Sequence, residues 1–569
     1  MDILGVNLTR TSTGVDLYDG AAVLLRSGVP VAAIAEERLT RAKHCGSVRL
    51  ASRYCLDAAG TDIRSVDQVA VSICCDVPPS ADWAAQELRN QGLDVRDDQI
   101  VVVPSHHLSH AASAFLASPF QHAITVVADN EGNILSPRTR QNYWLNRLER
   151  TSVWLCRGGP DNRFQQIASH GDGPNEISLG GAYNYITKWL GFSSYHDAGQ
   201  TMALAAHSTG KWEGIELFTW DEERLRCRLP QRHHAKRQAV AEWLAAEVGI
   251  PYDEGRDPGG PITNLHHEVA GLVQSALERA LIDLVRRSVE ATGIRTVCLA
   301  GGTALNCVAN HRIACELGLE GLFVQPAASD VGQALGNALW TWHCHLGKPR
   351  LWNMCSTELG RWYSAAEVRR AVSGFGARVR VEPCADLPGA AAAMLAEGQI
   401  IGWHQGGSEY GIRALGHRSI LGDPRRPETK ARLDLDIKCR EPFRPYAPSV
   451  TAGAASDWFD LLPSELAPGA PASFMLQATR VRPAVRQRIP AVVHVDGSAR
   501  VHVVRPETNP GYHALLQRFG LLTGVPVLLN TSFNAAGNPI VETPADAIAE
   551  FLDMGLDALV LDDLLITRR

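Results

Sequence analysis

Apolar positions fall along this chain in two rhythms. Short apolar runs ending in glycine or acid recur at Ile3–Asn7 ("ILGVN"), Ala123–Asn133 ("AITVVADNEGN") and Thr296–Asn306 ("TVCLAGGTALN"). Runs of this kind, bounded by turn residues, predict central strands of a mixed or parallel sheet. Between them, apolar residues return at helical spacing. The clearest case is "HHEVAGLVQSALERALIDLVRRSVEATG", with basic residues late and Gly293 as its stop. Two related strand–turn units on one chain predict a duplicated α/β core with a cleft between its halves.

The segment 347–360, "GKPRLWNMCSTELG", reads as a junction, and a fresh alternation follows. Helix "AEVRRAVSGFG", strand "ARVRVEP", helix "LPGAAAAMLAEG" and strand "QIIGWHQGG" succeed one another. The expected division is therefore 1–350 and 351–569. The stretch 461–473, "LLPSELAPGAPAS", is expected to be a proline-rich surface loop in the second domain.

A length of 569 residues exceeds what one core usually serves. The hydrophobic share of 45% and charged share of 20% are those of a globular protein. The net charge of -6, without a basic arm, argues against a nucleic-acid partner. Nucleotides remain possible ligands, because glycine turns and helix N-termini hold phosphates locally. The opening "MDILGVNLTR" is a strand pattern and not a signal peptide, and no apolar run is long enough to span a bilayer. The 13 cysteines are odd in number, with Cys74 and Cys75 adjacent and no CxxC pair. Free thiols in a reducing cytoplasm are the expectation.

The candidate chemistry begins at "VPSHHLSHAASAF" (Val103–Phe115). His106 and His110 stand four apart, which on a helix puts both imidazoles on one face. His107 points elsewhere. Alone, the pair fits a capped helix start equally well, and the glutamate of a zinc-protease motif is missing. Asp129 ends a strand, and Asp330 in "QPAASDVGQALGNA" precedes a helix of small residues. Two histidines and two aspartates would suit iron, manganese or zinc. Gly301, Gly302 and Asn306 follow a strand and precede a helix, where backbone can approach a nucleotide. In the second part, Arg413, Arg418, Lys438 and Arg444 are candidate phosphate partners. Ser532 and Asn534 offer short neutral donors at a turn.

In this order, "SHHLSHAASA", "VVADNEG", "LAGGTALN" and "PAASDVGQALG" resemble the Kae1-like domain, an actin/Hsp70-type ATPase fold. With "AIAEERLTRAKH" (Ala33–His44), nearly the whole chain is similar to the O-carbamoyltransferases of antibiotic biosynthesis and nodulation factors. That resemblance implies an α/β protein with an N-terminal Kae1-like domain and a C-terminal YrdC-like domain. It implies that His106, His110, Asp129 and Asp330 hold a metal, iron in this family. It also implies that Lys438, Arg444, Ser532 and Asn534 bind ATP, with Mg2+ expected beside it. Arg413 and Arg500 would grip carbamoyl phosphate. The C-terminal domain would make carbamoyl-adenylate, and the N-terminal cleft would pass the carbamoyl group to a hydroxyl or amine of a small natural product. The expected assembly is a monomer or homodimer. A tRNA threonylcarbamoyl-type transferase and a non-catalytic nucleotide sensor are the alternatives.

Two departures stand out. The family carries a His-Asp pair near the amino terminus, with the histidine as base toward the acceptor. Here Tyr18 stands beside Asp19, and a phenol of pKa about 10 is a poor base at neutral pH. Tyr18 either is activated, shapes the acceptor pocket, or leaves the base role to another group. In "HDAGQTMALAAH" (His196–His207), Gln200 and Ala203 replace a lysine and a glycine.

Overall fold

The computed structural model describes residues 1–8, 18–74, 80–135, 146–159, 162–193, 195–232 and 235–569. The first sheet is built from β1 (Asp2–Leu8), β2 (Ala21–Arg26), β3 (Val29–Ala35), β4 (Gln68–Ile73) and β5 (Ile100–Val102). Its spatial order is β3-β2-β1-β4-β5. β1 pairs antiparallel with β2 and parallel with β4. The second sheet uses β6 (His122–Ala128), β7 (Thr151–Arg157), β8 (Arg163–His170), β11 (Thr296–Ala300) and β12 (Gly321–Val324). A separate hairpin of β9 (Phe218–Asp221) and β10 (Arg224–Cys227) intervenes in sequence.

The order of the second sheet is β12-β11-β6-β7-β8, with β6 antiparallel to β7 and parallel to β11. Both sheets therefore follow one plan. A first strand sits centrally, a meander lies on one side, and two parallel strands lie on the other. This is the duplicated core of the actin/Hsp70-type fold, and the central strands β1 and β6 are buried along almost their whole length.

A third, eight-stranded sheet is formed by β13 (Val379–Pro383), β14 (Ile401–His404), β15 (Arg418–Gly422), β16 (Ala447–Thr451), β19 (His502–Val504), β20 (Val527–Ser532), β21 (Ala558–Leu561) and β22 (Leu564–Arg568). Its order is β13-β22-β21-β14-β15-β20-β16-β19. A short pair, β17 (Ala478–Arg480) and β18 (Ser498–Arg500), stands apart from it. This third layer is not separate from the first two. Tyr410, Leu415, Phe474 and Met475 belong to the same apolar core as the 106–115 helix and β6.

The periodic helix runs Asn264–Thr292 and ends at Gly293, whose φ of 72° suits a residue without Cβ. Helices Ala365–Gly374 and Leu387–Ala396 also form where the pattern places them. The stretch 461–473 is a surface loop only in part, with Leu462, Pro463, Ser464, Ala467 and Pro468 exposed. Its prolines open two short 3-10 helices, Pro463–Leu466 and Pro471–Phe474, and Glu465, Pro471, Ala472 and Phe474 are buried. Proline presets φ for such turns, and the apolar residues between them dock against the second sheet. No disulfide joins the described cysteines; Cys74 is buried, and Cys75 lies outside the described residues. No helix among the described residues is long and apolar enough to cross a membrane.

Candidate active site

The histidine segment forms the helix His106–Phe115, capped by Ser105, whose Oγ accepts the Leu108 N–H at 3.1 Å. Nine of its ten residues are buried, because the helix lies inside the molecule against a second buried helix, Gln333–Trp340. Small residues permit that crossing. A Cβ on Gly336 would lie 2.0 Å from the Ser109 carbonyl oxygen. A Cβ on Gly5 would meet the Ala334 carbonyl just as closely, so β1 presses the second helix from the other side. Asn337 locks the stack by donating to the Val6 carbonyl at 2.7 Å and to Ser72 Oγ at 2.9 Å.

This close crossing carries Asp330 onto the histidines. His110 Nε2 lies 3.1 Å from Asp330 Oδ1, and His106 Nε2 lies 3.1 Å from Asp129 Oδ2. The diagonal distances are 3.4 and 3.5 Å. One ligand atom from each of the four residues falls within 4.8 Å of every other. Burial alone would drive both imidazoles neutral, yet Asp330 and Asp129 hold His106 well above its ordinary pKa. Burial would likewise raise Asp129, but hydrogen bonds from His106 and His110 keep it well below the carboxylate range. Two buried carboxylates facing two imidazoles demand positive charge between them. The donor set fits a divalent cation, as two nitrogens and two oxygens suit iron, manganese or zinc. His107 stands outside this set. Its Nδ1 meets Ser152 Oγ at 2.7 Å, and burial pushes its pKa down to about 4.

The glycine turn sits directly on the cluster. Gly301 has φ 84°, and a Cβ there would approach the Ala128 carbonyl to 2.4 Å. The Gly302 N–H donates to Asp129 Oδ1 at 3.2 Å. The Asn306 side chain is engaged elsewhere. It caps the helix Cys307–Leu317 and exchanges two amide hydrogen bonds with Gln274.

Asp19 lies at the same cleft, with Asp330 among the charges that act on it. It holds a group that the sequence did not single out. Asp19 Oδ1 is 2.8 Å from His44 Nδ1. The other nitrogen, Nε2, has no hydrogen-bond partner among the described residues, and the ring is about one-third exposed (33%). Burial raises the Asp19 carboxyl, and the hydrogen bond from His44 opposes that rise. The His44 ring stacks on His196 with centroids 3.2 Å apart. Asp19 and His44 both adopt left-handed backbone, with φ 53° and 59°. The departure at Gln200 is absorbed locally, its amide donating to Asp197 Oδ1 at 3.0 Å.

In the C-terminal part, Lys438, Ser532 and Asn534 come together. Lys438 Nζ donates to the carbonyls of Ser532 (2.6 Å) and Asn534 (2.7 Å) and to Asn534 Oδ1 at 3.2 Å. Burial, then Arg440 and Arg444, hold its ammonium well below its ordinary pKa. The Asn534 amide nitrogen is spent on the Asn538 and Ala535 carbonyls and so shapes the turn.

Arg413 and Arg500 lie close enough to repel one another, and neither guanidinium has an ion-pair or hydrogen-bond partner among the described residues. Burial and the Arg500 charge push Arg413 down to about 9. Arg444 is pressed down by burial and by Arg440. Arg418 is different from these. Its guanidinium is wholly buried and donates to the carbonyls of Glu542, Gln405, His417 and Gly406. It is a backbone clamp and not a phosphate partner, contrary to the expectation from its charge.

Segment 38–44 ties the two centres. Arg38 donates to the Gly411 carbonyl, and Arg41 to the carbonyls of Pro539 and Ile540 and to Glu550. Lys43 lies near enough to act on both Lys438 and His196.

Known proteins resemble this chain in sequence. The family description "Carbamoyltransferase N-terminus" matches residues 82–339, and "Carbamoyltransferase C-terminus" matches residues 392–568. A protein of Synechocystis sp. is 32% identical over 98% of this chain and 96% of its own length. Nodulation protein NolNO of Sinorhizobium fredii is 35% identical over 97% of this chain and 79% of that protein. A 3'-hydroxymethylcephem-O-carbamoyltransferase of Amycolatopsis lactamdurans is 35% identical over 47% of each chain.

Proposed function

The chain belongs to the carbamoyltransferase family, and from that premise we propose an ATP-dependent enzyme that makes carbamoyl-adenylate and passes its carbamoyl group to a small natural product. The observation that carries this reading is the pair Arg413 and Arg500. Two guanidiniums held together without a carboxylate are an anion site, because like charges repel and a phosphate relieves them. Arg444 and Lys438 extend the positive field toward Ser532 and Asn534. ATP and carbamoyl phosphate would meet there, with Mg2+ accompanying the nucleotide. Adenylate formation crowds phosphates together, and preplaced cations stabilise that transition state. Water first cleaves carbamoyl phosphate to carbamate and phosphate. A carbamate oxygen then bonds to the α-phosphorus of ATP, the α–β phosphoanhydride bond breaks, and pyrophosphate leaves.

The adenylate then moves inward past segment 38–44 to the cleft between the two five-stranded sheets. His106, His110, Asp129 and Asp330 would hold a divalent cation, iron by family resemblance, which supplies positive charge for the adenylate phosphate. The Gly301–Gly302 backbone lies beside it. Asp19 fixes the His44 imidazole with Nδ1 as its donor, leaving Nε2 to take the acceptor's proton. The acceptor oxygen or nitrogen forms the new bond to the carbamoyl carbon, the carbon–oxygen bond to phosphate breaks, and AMP departs. Tyr18, next to Asp19 in sequence, would shape the acceptor pocket. Internal transfer protects the mixed anhydride from water. The cytoplasm, where ATP and free thiols coexist, is the proposed compartment, and the chain would act as monomer or homodimer.

The test is pyrophosphate release from ATP and carbamoyl phosphate without an acceptor. Release above the control lacking carbamoyl phosphate supports the reading. No release, with nucleotide bound, removes it.

A further inference from the structure

We propose a second metal site, for zinc, that pins the helix Cys307–Leu317 to the segment 462–477 through His311, Cys315 and Glu465. The site is independent of the carbamoyl-transfer reading and shares no residue with it. His311 and Cys315 stand four apart on one helix, so their side chains share a face. Glu465 comes from the 3-10 helix Pro463–Leu466, more than a hundred residues away in sequence. Ligand atoms of all three lie within 4.8 Å of one another.

The distances suit a tetrahedral ion. With zinc–sulfur about 2.3 Å and zinc–nitrogen or zinc–oxygen about 2.0–2.1 Å, the sulfur–nitrogen edge is about 3.6 Å and the nitrogen–oxygen edge about 3.3 Å. Cys315 Sγ lies 3.6 and 3.7 Å from the two His311 nitrogens. His311 Nδ1 lies 3.1 Å from Glu465 Oε1.

The carboxylate is also poised for this role. Glu465 is 3% exposed, and its other oxygen accepts the Leu462 N–H at 2.7 Å. That hydrogen bond orients the group and leaves Oε1 toward the histidine, as an outer partner orients a metal ligand. The Gln477 amide nitrogen Nε2 lies 3.1 Å from the same His311 nitrogen, and turning that amide over would bring its oxygen to the fourth position. A small cleft lined by Ala314, Glu465 and Gln477 opens at this point. One thiolate, one imidazole and one carboxylate favour zinc over the harder cations.

The consequence is mechanical. The helix Cys307–Leu317 begins directly after the Gly301–Asn306 turn, and Asn310 on the same helix donates to the Leu476 carbonyl at 2.9 Å. An ion at His311 would fasten that turn to the C-terminal part of the chain.

The experiment uses the full-length chain, cleared of metal and titrated with Co2+. A thiolate-to-cobalt charge-transfer band is expected, displaced by Zn2+. It should vanish in Cys315→Ser and His311→Ala but persist in Cys439→Ser, which alters the other exposed thiol among the described residues. The cluster of His106, His110, Asp129 and Asp330 contains no sulfur, so the band reports only on the proposed site. Cys315 is exposed, so its replacement by serine leaves the fold intact. Absence of the band at saturating cobalt, or its survival in Cys315→Ser, overturns the proposal.

Discussion

At the scale of the residue, the chemistry divides between groups whose type announces them and groups that only packing reveals. His106 and His110 are legible because four-residue spacing on a helix forces a shared face. Asp129 is legible as a carboxylate at a strand end, and Asp330 as one just before a helix of small residues. In a Cys315→Ser background, which removes the second proposed site, Asp330→Ala should lower bound metal by about tenfold or more and abolish transfer, as elemental analysis and an activity assay would show; retained metal in that background would refute the ligand set. Lys438→Ala should stop pyrophosphate release while leaving metal content unchanged. His44 was hidden. It lies 25 positions from Asp19, and no period links the two; left-handed turns at both residues bring them together. The sequence exposed the vacancy at Tyr18 but not its substitute. Glutamine keeps the polar shape of the ring but cannot take a proton. His44→Gln should slow transfer by about 10²–10⁴-fold. Pyrophosphate release should stay unchanged, which separates the base role from the activation site. An unaltered transfer rate in the variant would remove His44 from the mechanism.

At the scale of the element, strands and long helices were readable because each buries one continuous face. What escaped was the use of short irregular pieces. The 461–473 stretch has the proline and glycine of a loop, yet its Ala470 and Ala472 and the following Phe474 are buried. Composition registers the turns but not the surface against which the turns close. The helix Gln333–Trp340 shows the opposite case. Its small residues were visible, and the structure explains them by contacts on both sides, the 106–115 helix and β1. A methyl group at Gly336 would meet a backbone carbonyl, which cannot move without shifting the whole helix. Gly336→Ala should therefore cost about 1–3 kcal/mol of stability and draw Asp330 away from His110. Denaturant unfolding and metal content should fall together. A stable variant with full metal content would show that the two helices part without disturbing the site.

At the scale of the whole molecule, the duplicated core followed from two strand–turn units, because each unit must bury a central strand. The third sheet's partial merger with that core was not readable, since no local pattern states which apolar residues face another layer. The merger has a consequence for acid stability. Imidazoles are buried as neutral groups in both halves, with burial pushing His170 and His343 to about 4 and His502 to about 3. His502 Nδ1 meets Ser449 Oγ at 2.9 Å, its ring stacks on Tyr512, and Glu409 and His417 are the charges acting on it. These folded values lie below the ordinary 6.5, so between them the unfolded chain binds protons that the folded chain refuses. Stability is then full above about pH 6.5 and falls as pH drops toward the folded values, each group contributing at most about 1.4 kcal/mol per pH unit. Thermal unfolding of the metal-free chain from about pH 7.5 down to about pH 5 should show Tm falling on the acid side. His502→Gln should lower Tm at neutral pH and make the acid slope shallower, because one refused proton is removed. Since His502 lies on β19 and touches none of the four metal ligands, that change in slope belongs to the fold and not to the site. An unchanged slope in the variant would mean that His502 is already protonated, or reached by water, in the folded protein.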